Sequence, residues 1–213
     1  VKEGLLLLVD QLRPEDQVSI VTYAGECKVA LDSTPGSKKE KIRTAIQRLH
    51  PGGSTNGESG IRMAYEQAAI HFNKKNINRV ILCTDGDFNV GISSPQELEK
   101  LITEKAKSGV YLSVLGVGMG NLRDQNMMTL ANRGNGNYAY LDTISEARKV
   151  LVEQMNGTLV TMAKDVKIQV EFNPKQVAAY RLIGYEKRHL ENKDFNDDKK
   201  DAGDVGAGHT VTA

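Results

Sequence analysis

Short apolar runs rich in β-branched residues alternate with amphipathic segments along most of this chain. Residues 18–23, 79–83 and 110–115 are such runs, and short, mainly apolar runs of this kind suit strands covered on both faces. Residues 42–49 and 61–72 carry apolar side chains at helical spacing between them. Strands that alternate with helices of these lengths predict an α/β fold with a mainly parallel sheet and helices on both faces.

Local signals add detail to this architecture. Residues 27–31 follow the first strand after a tight turn, which predicts an antiparallel edge strand. Thr143 and Glu146 form a capping-box pattern ahead of a helix, and Pro95 stands at the first position of another helix. Gly109 supplies a stop for the helix that begins near Pro95.

Two loops carry the residues best suited to binding chemistry. The loop of residues 51–57 precedes an amphipathic helix, and the loop of residues 83–89 ends an apolar strand. Because ligands of open α/β sheets collect at the carboxyl ends of the strands, Thr55 and Asp85 are predicted to lie at a binding edge. Their hydroxyl and carboxylate are hard oxygen donors that suit Mg²⁺ or Mn²⁺. Neighbouring residues are predicted to shape the same site, namely Gly53, Ser54, Asn56, Gly86 and Asp87.

Structural interpretations of the same residues stay open. Thr55 or Ser54 can cap the helix that follows them. Asp85 can form a turn with the next glycine. Asp87 can hold its loop through Asx-type hydrogen bonds to the backbone. Each residue therefore has a local role that needs no metal.

The order of the elements, with the Gly-Gly-Ser-Thr-Asn and Thr-Asp-Gly-Asp loops, resembles the von Willebrand factor type A (VWA) domain family over residues 1–162. The resemblance implies a Rossmann-like, doubly wound sheet. It also implies a metal-ion-dependent adhesion site built from three loops, where the carboxylate of a protein ligand completes a Mg²⁺ shell. Such a protein binds and is not an enzyme. Residues 134–140 resemble one bacterial subgroup, which implies a place in the cell envelope.

The first of the three loops implied by this resemblance, an Asp-x-Ser-x-Ser pattern, has no counterpart here. Residues 1–5 resemble the helix that follows that loop, and residues 32–37 lack the required spacing. The domain is therefore predicted to lack its first strand, with a metal site that is empty or holds its ion weakly. A sheet position left open invites pairing with another chain, including a strand-exchanged homodimer.

A domain boundary is predicted near residue 162. Residues 1–162 then form the VWA-type α/β domain, and residues 163–213 begin a second, β-rich module. The resemblance supports the same division, because a second module follows in the bacterial subgroup.

Within the second module, apolar and polar residues alternate along residues 166–172, which predicts a half-exposed antiparallel strand. Residues 173–174 are predicted to turn, and residues 177–185 to return as the partner strand. Residues 186–204 are dense in charge and are predicted to form a solvated loop.

Composition argues against several functional classes. The chain has 28 lysines and arginines against 27 aspartates and glutamates, so it lacks the basic footprint of a nucleic-acid-binding protein. No apolar run approaches the roughly 18 residues of a membrane span.

Two alternatives to metal-dependent adhesion remain. One is a metal-independent structural scaffold. The other is a phosphatase, because residues 80–87 resemble the opening of haloacid-dehalogenase-type phosphatases, in which Asp85 would attack phosphorus. That chemistry also needs a lysine and an acidic pair at later strand ends, which the sequence does not provide, so we expect no enzyme.

Overall fold

A computed structural model describes residues 1–24, 26–50, 52, 57–84, 95–117, 124–153, 161–163, 166–181, 190–197 and 205–206. The helices are α1 (Lys2–Gln11), α2 (Lys39–Gln47), α3 (Gly57–Ile70), α4 (Pro95–Lys107), α5 (Asp124–Arg133) and α6 (Ile144–Arg148), with a π-helical turn at Lys149–Glu153 and a 3₁₀ turn at Asn192–Asp194. The strands are β1 (Gln17–Thr22), β2 (Lys28–Pro35), β3 (Asn78–Thr84), β4 (Val110–Val117), β5 (Tyr138–Leu141), β6 (Thr161–Ala163) and β7 (Val205–Gly206). The α/β class predicted from the sequence is confirmed.

A parallel sheet with the order β3, β4, β5 forms the centre of the larger core. β4 pairs with β3 from Asn78↔Val110 to Thr84↔Gly116, and its last four residues pair with β5. Leu112 is fully buried, because α4 and α5 both pack on β4 and their apolar side chains join the same cluster. The mainly apolar sequence of β4 fits this central position.

β1 and β2 form a separate antiparallel sheet, as predicted for residues 27–31. Its apolar side chains pack with those of α1 and α2 in a second cluster built on Val9, Leu31, Ile42 and Ile46. Within the described residues, β1 and β3 are not hydrogen-bonded to each other. Helix α3 contacts β1, β2 and β3, and it therefore connects the two sheets.

The turn between α5 and β5 lies tightly against β4. The Leu112 amide donates to the Gly134 carbonyl at 2.9 Å, and the Gly136 amide donates to the Ala131 carbonyl at 2.9 Å. Between the two glycines, Asn135 adopts the left-handed conformation with φ 49°, which asparagine tolerates better than most residues. A Cβ atom at Gly134 would lie only 2.5 Å from the Leu112 Cβ. The close approach of two backbones therefore requires glycine here.

Helix borders follow the local sequence signals. The Thr143 hydroxyl accepts a hydrogen bond from the Glu146 amide at 3.1 Å, so the predicted N-cap of α6 is confirmed. α4 begins at Pro95. Gly109 has φ 96° just beyond the end of α4, and its amide donates to the Ala106 carbonyl. None of the helices in the described ranges has the length and apolar character needed to cross a membrane.

The strand predicted at residues 166–172, with residues 177–185 as its partner, is wrong. Residues 166–172 form no ladder, and residues 177–181 are irregular where the structure describes them. The turn at residues 173–174 is confirmed, because the Asn173 carbonyl accepts from the Gln176 amide. The antiparallel pair in this region is instead β6 with β7. Alternation identified a segment suited to a strand, but a strand also needs a neighbour that completes its backbone hydrogen bonds.

Candidate functional site

The carboxyl ends of β3, β4 and β5 lie along one edge of the parallel sheet. Thr84, the last residue of β3, is opposite Gly116, and the last residues of β4 and β5, Val117 and Leu141, are opposite each other. Thr84 is buried. Because parallel sheets bind ligands at this edge, the loop that follows Thr84 in the sequence starts where a binding site is expected.

Tyr23 connects this edge to the start of α3. The Tyr23 hydroxyl donates a hydrogen bond to the carbonyl oxygen of Cys83, the penultimate residue of β3. On the α3 side, a Cβ atom at Gly60 would lie 2.5 Å from the Tyr23 Cβ, so the glycine allows the first turn of α3 to reach Tyr23. One tyrosine side chain therefore contacts both the start of α3 and the end of β3.

An ion pair between a buried glutamate and an exposed arginine lies in the first turns of α3. Glu58 is 9% exposed, and its Oε1 accepts a hydrogen bond from the Arg62 Nε at 2.8 Å. A carboxylate in a first helical turn also interacts favourably with the helix dipole. Sequence reasoning missed Glu58, although a glutamate with an arginine four residues later was a visible signal. The pair fixes a negative charge one residue after the start of α3.

The Cys83 thiol is protonated at neutral pH. Burial raises the pKa of Cys83 to about 11, from an ordinary value of 9.0. Because thiolate is the form that binds metals, the raised pKa makes this thiol a weaker ligand than an unburied cysteine.

The predicted site residues themselves lie outside the described part of the chain. This applies to the metal ligands Thr55 and Asp85 and to their neighbours Gly53, Ser54, Asn56, Gly86 and Asp87. The structure describes the residues on either side of them, Gly57 at the start of α3 and Thr84 at the end of β3. Asp85 therefore comes directly after Thr84, and Thr55 comes two residues before Gly57. In the described ranges, no three acidic, histidine or cysteine side chains form a group that could hold a metal.

A second feature of the edge is a cleft of about 200 Å³ at the ends of β4 and β5. Glu3, Asp142 and Thr143 contribute polar groups to its lining. The Thr143 hydroxyl already caps α6. The sequence interpretation did not identify this cleft, because it brings residues of α1 together with residues some 140 positions later.

Two family models match the chain. The model described as von Willebrand factor type A domain matches residues 1–154, and the model described as Uncharacterized protein YfbK, C-terminal, matches residues 157–213. The chain is 51% identical over 212 residues to "Uncharacterized protein YfbK" of Escherichia coli (strain K12). That match covers 100% of this chain and 37% of the relative, so the chain spans well under half of the relative's length.

Solved structures show the same fold. A von Willebrand factor type A protein from Catenulispora acidiphila has a TM-score of 0.63 at 16% identity, covering 77% of this chain and 38% of that chain. Proximal thread matrix protein 1 from the mussel byssus has a TM-score of 0.57 at 23% identity, covering 73% of this chain and 41% of that chain. Its description states that zinc occupies a MIDAS motif in that protein.

Proposed function

Because the chain belongs to the von Willebrand factor type A domain family, we propose that the intact protein binds a protein ligand through a divalent-metal site between the start of α3 and the end of β3. The observation that carries the proposal is the Tyr23 contact with both elements. This side chain contacts Gly60, five residues after Thr55, and Cys83, two residues before Asp85, which supports a site between the two elements. The site serves binding, and no bond is made or broken there.

Thr55 and Asp85 are the proposed holders of the metal, which is Mg²⁺ or Mn²⁺. When bound, the ion supplies a Lewis-acidic anchor for a carboxylate of the ligand. Thr55 provides a hydroxyl oxygen, and Asp85 provides negative charge directly or through water. Ser54, Asn56 and Asp87 contribute the polar surroundings, while Gly53 and Gly86 permit tight loops. In this chain we expect weak binding of the ion, since no Asp-x-Ser-x-Ser loop is present.

Two further expectations belong to the same proposal. The resemblance to the bacterial subgroup supports a place in the cell envelope for the intact protein. A strand-exchanged homodimer would place a strand from a second copy between β1 and β3, which are not hydrogen-bonded to each other in the described residues. Both stay predictions.

Calorimetric titration with MnCl₂ tests the metal site. We would compare this chain with a longer version that adds a strand and an Asp-x-Ser-x-Ser loop ahead of α1. The longer version should bind Mn²⁺, and Asp85→Ala should weaken that binding by about tenfold or more. Asp142→Ala is the matched control, because it removes an exposed carboxylate from the same edge, beyond β5.

The outcomes separate the candidate functions. Equal Mn²⁺ affinity for both versions would show that the residues of this chain suffice. Absence of binding to either version would refute metal-dependent adhesion and favour the metal-independent scaffold. Hydrolysis of a phosphate monoester that depends on Asp85 would instead support the phosphatase alternative.

A further inference from the structure

Residues 166–172, which we call the 166–172 segment, expose an apolar face to solvent. Ile168 is 60% exposed, Val170 54% and Phe172 42%. Next to them, the ring of Tyr180, itself 72% exposed, lies 4.5 Å from the Phe172 ring. Contiguous exposed apolar side chains of this kind mark interaction surfaces in folded proteins.

The backbone of the 166–172 segment forms no strand ladder with any other described residue. Lys167 Nζ donates to the Asp197 carbonyl at 2.8 Å, and Phe172 contacts Tyr180, so both ends of the segment are anchored to this chain. An anchored segment with strand-type alternation and no ladder is a ready template for another strand.

The sequence Val-Lys-Ile-Gln-Val-Glu-Phe of this segment is complementary to itself in the antiparallel direction. When Gln169 lies opposite Gln169 of a second copy, Lys167 lies opposite Glu171 on both sides of the centre. In the same register Ile168 lies opposite Val170. Directly opposed residues share a face of the sheet, so unlike charges meet on one face and apolar side chains meet on the other.

Neighbouring registers lose this match. With Val170 at the centre, Lys167 faces Asn173 and Glu171 faces Gln169, so no charge is paired. With Ile168 at the centre, Glu171 faces Asp165, and two like charges oppose each other. Only the register centred on Gln169 pairs both charges with opposite charges.

We propose that two copies of this chain associate by antiparallel pairing of their 166–172 segments, centred on Gln169. The partner is a second copy because the charge pattern and the apolar pattern of the segment both complement themselves in one register. In the pairing, Lys167 would keep its bond to the Asp197 carbonyl and contact Glu171 of the second copy with the same ammonium group. This interface is distinct from strand exchange, which would act between β1 and β3.

Charge exchange across the interface tests the proposal. Sedimentation velocity of the whole chain would measure the fraction of dimer at protein concentrations from about 1 to 200 μM. This range spans micromolar dissociation constants. Lys167→Glu places Glu opposite Glu171 of the partner twice, and Glu171→Lys places Lys opposite Lys167 twice. Each single variant should weaken dimerisation by about tenfold. The double variant Lys167→Glu/Glu171→Lys should restore the dissociation constant to within about threefold of the parent, because both pairs are again attractive.

Controls distinguish this interface from other effects. Lys175→Glu changes the charge of an exposed lysine in the following turn and should leave dimerisation unchanged. Circular dichroism of each variant verifies that the fold is retained. A parent chain that remains monomeric over the whole range would overturn the proposal. A dimer whose dissociation constant changes in neither single variant, as strand exchange predicts, would also overturn the proposal. So would a double variant whose dissociation constant does not return to that of the parent.

Discussion

Replacing Gly136 by alanine should destabilise the α/β domain through a backbone clash. A Cβ atom built at Gly136 lies 1.9 Å from the Leu112 carbonyl oxygen and 2.9 Å from the Ser113 nitrogen. Contacts of a Cβ atom essentially never fall below 3.0 Å. The turn before β5 and the centre of β4 must therefore move apart by about 1 Å. Neither side is a flexible side chain, so the movement strains the backbone of both.

The hydrogen bonds across this contact set the size of the effect. The Leu112 amide donates to Gly134, and the Val114 amide donates to Asn137, each at 2.9 Å. A separation of about 1 Å takes both bonds beyond hydrogen-bonding distance. Two lost bonds cost about 1 kcal/mol each, and overpacking strain adds about 1–3 kcal/mol. The expected loss is thus roughly 3–5 kcal/mol of the free energy of unfolding, a large part of the 5–15 kcal/mol typical of a domain.

Urea unfolding followed by far-ultraviolet circular dichroism measures this loss. The matched control is Asn135→Gly, which changes the neighbouring left-handed residue, φ 49°, and introduces no new atom. The control should stay within about 0.5 kcal/mol of the parent, because glycine adopts that conformation freely. If the free energy of unfolding of Gly136→Ala also lies within about 0.5 kcal/mol of the parent, the close packing of this turn on Leu112 does not limit stability, and the prediction is refuted.

Tyr65 and Cys83 each give a further prediction. Among the described residues, Tyr65 Oη is buried and has no hydrogen-bond partner. Tyr65→Phe should therefore leave the free energy of unfolding unchanged or raise it by about 1 kcal/mol in the urea assay. A loss above about 1 kcal/mol would show that the hydroxyl has a partner. The pKa of Cys83, about 11, lies above its ordinary value of 9.0, so its contribution to stability is present below pH 9 and is lost as the pH rises towards 11. In a Cys27→Ser background, the rate of alkylation of Cys83 by iodoacetamide should keep rising up to about pH 11. A plateau near pH 9 would contradict the raised pKa.

The strands and helices of the α/β domain were predictable because their signals are local. Residues 110–115 are apolar except for Ser113, and Leu112 and Leu115 pack in two separate clusters of apolar side chains, so the pattern and the packing agree. The capping box at Thr143 was equally local, because its donor and acceptor are three residues apart. Such signals need no knowledge of distant residues.

Features that depend on distant residues escaped the sequence interpretation. The alternation in residues 166–172 does not show whether a neighbouring strand exists, and β6 pairs with β7 more than 40 residues later. Tyr23 gave no signal of its contacts with Gly60 and Cys83, because 37 and 60 residues separate them. At the candidate site, the sequence predicts donor types at Thr55 and Asp85, and both residues lie outside the described ranges. Their geometry stays a prediction.

The separation of the β1–β2 sheet from the β3–β5 sheet has a consequence for the order of folding. Each sheet comes from one continuous stretch of chain, since β1 and β2 span residues 17–35 and β3 to β5 span residues 78–141. A hairpin forms within microseconds, whereas parallel strands must wait for their crossover helices. Helix α3 lies between the two stretches and contacts both sheets, so its docking is the step that joins them. We therefore expect the edge where α3 meets β3 to be among the last parts of the domain to assemble, so that the proposed site forms only when both sheets are in place.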